Sequence, residues 1–569
     1  MKSKLTVVLL VLQLSTSAQA IQRYQVVIDE IMADPSPVVG LPPVEYIELR
    51  NTSNQTVNLQ GCRIGDGAGT ALISNSYLLL PDSVVVLCSN SNTAVLSLFG
   101  HVIGISNFPS LDNDGELLYL LSPNGTSIHA VAYNSSWYAN TVKALGGWSL
   151  EMIDVKNACA GAGNWVASKA ANGGTPGQVN SVNAVNKDAQ PPALLSVFVK
   201  DDTHVELQFD EPLNSLSAAN AGNYNISSIG KAIAATPVSP LFITVIIETA
   251  APVSPNQLYD ITVTAVSDCA GNSIGAHHSA RLGRAVNAGA NDIVINEILF
   301  NPWAGGTDYL ELYNRSSHVI DLSECYTATR NTTGAVSKAQ QISSSHRLLF
   351  PGDYVLVTDD IVAVSRQYLT KDRAALLQTS AMPSMPDDKG DVLLLNAQGV
   401  LIDEVAYDAH WHFKLLNNDE GVALERIDYN QPSQLAMNWH SAATSAGYGT
   451  PGYINSQFHT DGLPQAALSL SAPIFSPDND GLDDFVSIQY QFPTQGYTCN
   501  ITIYDASGRP VRLLTRNAIC SQQGYFRWDG LGDNAQPLPM GVYIVLSEVF
   551  TLQGNTKKFK QALTLARRF

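Results

Sequence analysis

The stretch "VIDEIMADPSPVVGLPPVEYIELRN", residues 27–51, has a second version later in the chain, "VINEILFNPWAGGTDYLELYN", residues 294–314. In both versions two short apolar runs flank a loop rich in proline, glycine or asparagine, and the second run alternates apolar and polar residues. Runs of this kind, bounded by turn residues, predict a pair of antiparallel β-strands. The chain therefore contains a repeated β-unit.

The repeat continues well beyond these strands. "LLLPDSVVVL" from Leu78 matches "LLFPGDYVLV" from Leu348, and both copies close alike, with "GTPGQVNS" at 174–181 and "GTPGYINS" at 449–456. Neither copy contains a long segment with the 3.6-residue period of a helix. Each unit of about 160 residues is therefore predicted to be an antiparallel β-sandwich. The copies are not identical, since the first has Asp29 where the second has Asn296.

Several of these motifs resemble the lamin-tail domain, an immunoglobulin-like β-sandwich. In the second copy the motifs are "INEI" at 295–298, "YLELYN" at 309–314, "LFPGDYVLVT" at 349–358, and the closing "NW…GTPG..NS" at 438–456. Between the two copies, "VELQFDEPLN" at 205–214 and "YDITVTAVSDCAGN" at 259–272 resemble a bacterial Ig-like module found on cell surfaces. The resemblances imply three sandwiches in tandem.

The C-terminal part shows a different resemblance. "IYDASGRPVRLL" at 503–514 and "WDGLGDNAQPLPMGVY" at 528–543 resemble the Ig-like domain of flagellar hook-capping proteins. They also resemble the C-terminal sorting domains of Bacteroidetes-type bacteria, where a terminal β-module directs passage through the type IX secretion system. This resemblance implies that the basic last strand from Lys557 is a handle for export machinery or the cell envelope. The alternative is a strand that simply completes the sandwich.

The chain is thus predicted to be all-β, with four tandem Ig-like β-sandwich domains after a signal peptide. The signal peptide is indicated by Lys2 and Lys4, an apolar run, and the small-x-small site that ends at Ala20. No later run reaches the ~18 apolar residues of a membrane span. The protein is expected to be secreted or displayed on the outer surface. The predicted segments are the signal peptide 1–20, lamin-tail domain 1 at 21–183, the bacterial Ig-like domain at 188–284, lamin-tail domain 2 at 290–457 and the C-terminal Ig-like domain at 465–569.

Charge and motifs restrict the function. Residues 21–464 carry a net charge of −21, which disfavours nucleic acid as a partner. HExxH, GxSxG and Walker motifs do not occur, so no catalytic residues are assigned and no cofactor is expected beyond a possible calcium ion. These features favour a non-enzymatic protein with a structural, adhesive or binding role toward an unknown protein or polysaccharide. Two alternatives stay open: an accessory of an extracellular nuclease or phosphoesterase system, and a calcium-stiffened binding module.

The possible calcium ion belongs to "FSPDNDGLDDF" at 475–485, where Asp478, Asp480, Asp483 and Asp484 surround Gly481. With Gly481 at position 6 of an EF-hand loop, position 12 is a serine, so the bidentate acid is missing. The loop is either a weak calcium site or a solvated Asx turn.

The seven cysteines permit disulfides in an exported protein. Cys499 and Cys520 flank consecutive strand-like runs and form the favoured pair. Cys62 with Cys88 is a weaker alternative.

Three further groups of residues have a functional and a structural interpretation, and the structural one is favoured for each. Glu30 and Glu48, with Glu297 and Glu311 in the second copy, are either paired acids for hydrolysis or internal hydrogen-bond partners. Asp408, His410 and His412 would share one strand face and are either metal ligands or exposed side chains. Trp165 and Trp439 are either a carbohydrate platform or part of the core.

Overall fold

The computed structural model describes residues 21–331, 333–413, 416, 418–458, 467–478, 480–551 and 554–567. The predicted signal peptide, residues 1–20, lies outside the described residues. The chain forms two compact units, one of residues 1–253 and 258–282 and the other of residues 254–257 and 283–569. Both consist mainly of antiparallel sheets, so the predicted all-β class of tandem sandwiches is confirmed.

The first lamin-tail copy is a sandwich of a six-stranded and a four-stranded sheet. A separate sheet of two short strands accompanies them. Inward-facing Val, Ile and Leu side chains of both sheets form its core. In sheet order, the six strands are Trp165–Ala167, Leu150–Met152, Val26–Met32, Tyr46–Asn51, Val84–Ser89 and Val102–Ile105; the four are Ser127–Ala132, Leu117–Leu121, Arg63–Gly65 and Thr70–Leu72; the pair is Val57–Asn58 and Leu78–Leu79.

The second lamin-tail copy, in the other unit, repeats this arrangement around its own core. Its six strands are Leu376–Gln378, Tyr354–Thr358, Tyr309–Asn314, Ile293–Leu299, Leu424–Arg426 and Trp439–Ser441; its four are Gln340–Gln341, Cys325–Ala328, Lys389–Asn396 and Leu401–Asp408; its pair is Ile320–Asp321 and Leu348–Leu349.

A β-bulge interrupts the first strand of each copy. The pairing register shifts between Ile28 and Glu30 in the first copy and between Ile295 and Glu297 in the second. An extra residue on one strand breaks the alternation of side chains. Asp29 and Glu30, which are neighbours in sequence, are both fully buried, because every residue of the strand Val26–Met32 is buried on whichever face it lies.

The bacterial Ig-like segment is a sandwich of two four-stranded sheets. Its strands alternate buried and half-buried positions, as in His204–Phe209, which is typical of a sheet with one face on a core. One sheet has the order Leu194–Val199, His204–Phe209, Thr244–Glu248 and Ala234–Pro237; the other has Gly230–Lys231, Tyr224–Ile226, Leu258–Val263 and Ser279–Gly283.

Within the first unit, covalent and polar contacts join these two sandwiches. A disulfide links Cys159 of the lamin-tail copy to Cys269 of the Ig-like segment, 110 residues away. The Arg23 guanidinium donates to the Leu213 carbonyl at 2.8 Å and lies 4.1 Å from the centre of the Phe242 ring. The two sandwiches are therefore fastened to each other.

The C-terminal sandwich packs a three-stranded sheet on a five-stranded one. The last strand, Thr556–Leu565, pairs along its whole length with Gly541–Phe550, and only its end pairs with Ile474–Phe475. The three-stranded sheet has the order Ala467–Leu470, Val486–Gln491 and Gln523–Trp528; the other has Ile474–Phe475, Thr556–Leu565, Gly541–Phe550, Tyr497–Asp505 and Pro510–Cys520.

Helices are short throughout the described residues. The three α-helices there are Thr93–Leu96, Ser215–Ala218 and Ile361–Gln367. Among the residues described, no helix combines the length and apolar character that crossing a membrane requires.

Candidate functional site: two buried carboxylate latches

Each lamin-tail copy contains a row of three glutamates on three neighbouring strands. In the first copy Glu30 lies opposite both Glu151 and Glu48 in the strand register. In the second copy Glu297 lies opposite both Glu425 and Glu311. All six side chains are 0% exposed. A substrate in solution cannot reach them, so the structural interpretation of Glu30, Glu48, Glu297 and Glu311 is confirmed.

The segment that closes the first copy, residues 174–182, binds this row through Thr175. Its backbone N–H donates to Glu30 Oε1 at 2.8 Å, and its hydroxyl lies 2.9 Å from Glu151 Oε1 and 3.3 Å from Glu30 Oε2. Ser181 and the N–H of Val182 donate to Glu151 Oε2 at 2.7 and 3.1 Å. Polar side chains this deeply buried are stable only when hydrogen-bonded. The closing segment supplies these donors, and the Tyr46 and Ser149 hydroxyls add two more to Glu30 Oε1 at 2.7 and 2.6 Å.

The second copy repeats the arrangement with residues 449–457. The Thr450 hydroxyl lies 2.6 Å from Glu297 Oε2 and 3.0 Å from Glu425 Oε1, while its backbone N–H donates to Glu297 Oε1 at 3.0 Å. Ser456 and the N–H of Gln457 donate to Glu425 Oε2 at 2.8 and 2.7 Å. We call the three glutamates and the threonine of each copy a latch.

A glycine completes each latch. The N–H of Gly177 donates to Glu48 Oε2 at 2.5 Å, and the N–H of Gly452 donates to Glu311 Oε2 at 2.6 Å. Gly177 has φ of +78°, and a Cβ there would lie 2.5 Å from the Phe99 carbonyl oxygen. Only glycine combines this backbone conformation with so close an approach, which explains the second glycine of "GTPG".

Burial raises the pKa of several latch carboxyls. It raises the pKa of Glu30 to about 7 and that of Glu425 to about 8, and it raises the pKa of Glu48 and Glu311 well above the ordinary value. Neighbouring carboxylates strengthen the effect, and hydrogen bonds from the closing segment oppose it. A group with a strongly shifted pKa is often catalytic when it faces a cleft. These face the interior and hold the sandwich closed.

Sequence patterns did not reveal the third glutamate or the threonine of each latch. Glu151 and Glu425 stand in the matching texts "LEMID" and "LERID", and Thr175 and Thr450 in the repeated "GTPG". The signal for these residues is that both copies contain the same short motifs. Two divergent copies share a buried polar contact when both folds depend on it.

The acidic loop of the C-terminal sandwich brings together three of its four aspartates. One carboxylate oxygen each from Asp478, Asp480 and Asp484 lies within 4.8 Å of the others. Asp483 takes another part: it has φ of +54°, and its carbonyl accepts from the Ser476 N–H at 2.8 Å. The same carboxylates also cap backbone N–H groups, as when Asp480 accepts from Leu482 at 2.8 Å. Both open interpretations, a calcium site and an Asx turn, stay predictions.

The predicted histidine face is not formed. The strand ends at Asp408, and Ala409–Trp411 is a short 3₁₀ helix, which ends the alternation of side chains. The His410 side chain is exposed and lies 2.6 Å from Asp408 Oδ1. His412 turns inward to Ser441 Oγ at 2.9 Å, and burial lowers its pKa to about 4. The three side chains do not share a face, so the metal interpretation is wrong. The interpretation as exposed side chains is correct for His410 and wrong for His412.

The two cysteines of the favoured disulfide, Cys499 and Cys520, are free, buried thiols in the C-terminal core. In the strand register Cys499 faces Ala518 and Cys520 faces Tyr497, so the two cysteines are diagonal neighbours. Their thiols are nevertheless neighbours, since burial and then the Cys499 thiol raise the pKa of Cys520. The pairing therefore stays a prediction. Cys62 and Cys88 are free thiols as well.

The tryptophans belong to the cores. Trp165 and Trp439 are each 3% exposed, and Trp439 Nε1 donates to the Ser433 carbonyl at 2.8 Å. Each packs against a second tryptophan, Trp137 or Trp411. The core interpretation is confirmed.

An open groove of about 720 Å³ lies on the outer face of the four-stranded sheet of the second lamin-tail copy. Arg330 lines it and donates through Nε and Nη2 to the two oxygens of Glu404, at 2.7 Å each. Asp391 lies beside this pair, with one carboxylate oxygen 3.7 Å from Arg330 Nε. The first copy has Leu117 and Ala130 at the positions of Asp391 and Glu404. The fold therefore does not need this charged cluster.

Comparison with known families identifies three of the four sandwiches. The model of the lamin tail domain matches residues 19–135 and 287–409, and the model of the bacterial Ig-like domain matches residues 183–281. The predicted lamin-tail and bacterial Ig-like domains are thus confirmed. No curated protein matches the chain.

Solved structures with similar parts are distant. CopC from Methylosinus trichosporium OB3b is 18% identical over 18% of this chain and 97% of its own, with a TM-score of 0.14. The surface-layer protein SbsC is 11% identical over 66% of this chain and 55% of its own, with a TM-score of 0.16. A tetra-tandem repeat from a large adhesion protein is 13% identical over 95% and 99%, with a TM-score of 0.14. At such scores the domain assignments rest on the family models.

Proposed function

We propose that the protein is a secreted or surface-displayed, non-enzymatic modular protein with a structural, adhesive or binding role. The observation that carries the proposal is the use of the buried acids. In both lamin-tail copies the convergent glutamates are fully buried and bound by the closing segment. The acids that resemble a hydrolytic pair therefore hold domains closed.

The Cys159–Cys269 disulfide supports the extracellular part of the proposal. Disulfides that persist are typical of oxidising compartments. This one joins two neighbouring domains, which suits a modular protein that acts outside the cell.

The test of this proposal has two arms. The purified chain is assayed with nuclease and phosphatase substrates and several divalent ions, and native cells are fractionated to locate the protein. We expect no turnover, and protein in the medium or on the surface with Cys159 and Cys269 resistant to alkylation. Turnover that survives repurification supports the nuclease or phosphoesterase alternative instead.

The binding role is best assigned to the groove on the second lamin-tail copy. Arg330, Asp391 and Asp408 present charged groups of both signs there, a set that suits the polar groups of a polysaccharide or a protein surface. The variant Asp391→Leu/Glu404→Ala installs the residues of the first copy, so it should fold. We expect it to lose a ligand found on glycan or cell-surface arrays, while Leu117→Asp in the first copy serves as the matched control. Unchanged binding of the double variant would exclude the groove.

The C-terminal module is proposed to serve export or anchoring. The Thr564 N–H donates to the Pro473 carbonyl, on the side of the last strand that faces away from Gly541–Phe550. Since N–H directions alternate along a strand, the N–H groups of Ala562, Lys560 and Lys558 point to that same side. Together with three lysines, this edge suits an acidic partner strand. Lysines on an edge also discourage unwanted pairing, and that is the competing explanation.

Substitution separates these explanations better than deletion, because Leu563 and Leu565 belong to the core of the module. We expect Lys557→Glu/Lys558→Glu/Lys560→Glu to trap a folded protein inside the outer membrane. The triple variant Lys187→Glu/Lys338→Glu/Lys389→Glu has the same charge change at exposed positions of other domains and should be exported normally. Normal export of both variants would leave the last strand with a structural role alone.

A further inference from the structure

The two latches differ at the residue in the bulge. The first copy has Asp29 where the second has Asn296, and both side chains are 0% exposed. Each contacts the asparagine that both closing segments share, Asn180 in the first copy and Asn455 in the second, in the same way. Asn180 Nδ2 donates to the Asp29 carbonyl at 2.9 Å and to Oδ1 at 3.2 Å, and Asn455 Nδ2 donates to the same atoms of Asn296 at 2.9 and 3.1 Å. Asp29 Oδ2 therefore occupies the place of the Asn296 amide nitrogen.

In the second copy that nitrogen is the central donor. Asn296 Nδ2 donates to Glu311 Oε1 at 2.7 Å and to Asn455 Oδ1 at 2.7 Å. Both acceptors are fully or almost fully buried. With the Gly452 N–H on its other oxygen, Glu311 has a donor for each carboxylate oxygen.

In the first copy the same three positions hold only acceptors. Asp29 Oδ2, Glu48 Oε1 and Asn180 Oδ1 are buried and lack any hydrogen-bond partner in the part of the chain that the structure describes. The three atoms are the counterparts of Asn296 Nδ2 and its two acceptors. A buried acceptor without a donor costs about 1–3 kcal/mol. Since Asn296 Nδ2 lies 2.7 Å from Glu311 Oε1 in the second copy, the matching positions in the first copy need a donor hydrogen beside Asp29 Oδ2 and Glu48 Oε1.

The surrounding charges do not supply that hydrogen. Arg50 is the nearest cation: its Nη1 lies 3.8 Å from Asp29 Oδ2, longer than a normal hydrogen bond, and it partly opposes the effect of burial on the pKa of Asp29. Its Nε and Nη2 donate instead to Asp82. The other ionisable groups around the pair are Glu30, Glu151 and Tyr46, and the two acids add negative charge. Burial raises the pKa of Asp29 to about 7, which agrees with a retained proton.

We infer that the first latch holds one proton between Asp29 Oδ2 and Glu48 Oε1, in the place that the Asn296 amide fills in the second latch. The closing segment of the first copy thereby gains a pH-dependent fastening. Opening the segment exposes both carboxyls to water, where both ionise above about pH 5.

The sign of the effect follows from proton counts. The closed latch binds one proton more than the open one between the ordinary carboxyl pKa and the raised pKa of the pair. The free energy that stabilises the closed segment is therefore greatest at low pH, decreases as the pH rises, and reaches a constant lower value above about pH 7. One extra proton corresponds to about a tenfold change in the opening equilibrium per pH unit.

The test is amide hydrogen exchange of Gly177 in the full chain between pH 5 and pH 8, expressed as a protection factor to remove the intrinsic pH dependence. Gly452 is the internal control, because its protection should have the same pH dependence in the parent and in Asp29→Asn. The variant Asp29→Asn restores the amide of the second copy. We expect the protection of Gly177 in the parent to fall by about one log unit per pH unit relative to Asp29→Asn, up to about pH 7.

The reciprocal variant Asn296→Asp keeps the test decisive if Asp29→Asn leaves Arg50 unbalanced and does not fold. It should give Gly452 the same additional slope, and Gly177 should not change. Infrared difference spectra between the parent and Asp29→Asn give a second readout, since the parent should show the carbonyl band of one additional protonated carboxylic acid. Equal slopes in parent and variants, or an unchanged carbonyl band, would overturn the shared proton.

Discussion

The latches can be tested by removing one hydroxyl. In Thr450→Val a methyl group replaces the hydroxyl, and the shape of the side chain is kept. At neutral pH Glu425 retains its proton, because burial raises its pKa to about 8. It can then donate to the Thr450 hydroxyl, which donates to Glu297, at 3.0 and 2.6 Å. The variant loses both bonds. Glu425 Oε1 is then without a partner, while Glu297 Oε2 keeps the Thr450 backbone N–H at 3.2 Å.

The magnitude follows from the kind of bond that is lost. The hydrogen bond to the Glu297 carboxylate contributes about 1.5–3 kcal/mol and the one with the neutral Glu425 about 0.5–1.5 kcal/mol, so Thr450→Val should lower the free energy of unfolding of this domain by about 2–4 kcal/mol. Thr358→Val in the same domain is the matched control. Thr358 is also fully buried, but its hydroxyl donates to the neutral Asp308 carbonyl at 2.9 Å, and its loss should cost about 1 kcal/mol.

The assay is hydrogen exchange with mass spectrometry at increasing urea concentrations on the full chain, because peptides then report each domain separately. Strand Leu424–Arg426 reports the affected domain, and its counterpart Leu150–Met152 reports the first copy. If Thr450→Val costs no more than Thr358→Val, the glutamates do not depend on the closing segment, and the structural explanation of the buried acids fails.

Three further predictions concern the disulfide, the latch acids and the acidic loop. Peptide mapping without reductant should recover Cys159 joined to Cys269, and the double variant to serine should lower the stability of the first unit by about 4–5 kcal/mol, as expected for a loop of about 100 residues; recovery of Cys159 as a free thiol would contradict the structure. The second lamin-tail domain should lose stability as the pH rises from about 5 to 8, since the raised pKa of Glu425 means that the folded state holds a proton that the unfolded state has released; stability that is constant across this range would contradict that origin. Calorimetric titration with calcium should show weak binding that disappears in Asp478→Asn/Asp480→Asn, whereas a parent without binding heat identifies the loop as an Asx turn.

The β class and the repeat could be predicted because they depend on local patterns. Alternating strands such as Tyr46–Asn51 and the turn residues between them carry their own signal, and two copies reinforce it. The pairing of Glu30 with both Glu48 and Glu151 could not be predicted in this way. It depends on which strands become neighbours and on a bulge, and neither has a sequence signature of its own.

One prediction was wrong for a local reason. The histidine face assumed a strand that continues past Asp408, but a 3₁₀ helix begins there and turns His412 into the core. The register leaves Cys499 and Cys520 diagonal with their thiols next to each other, so their pairing stays a prediction. The real partner of Cys159 is 110 residues away in another domain, and connectivity of that kind cannot be deduced from spacing.

The most direct test of the proposed role is the location and redox state of the protein in its native cells. Intact cells are treated with a membrane-impermeant alkylating reagent, fractionated, and the chain is mapped in each fraction by mass spectrometry. The proposal predicts protein in the medium or on the outer surface, with Cys159 and Cys269 joined. Protein found in the cytoplasm, with both of these cysteines reduced, would contradict it.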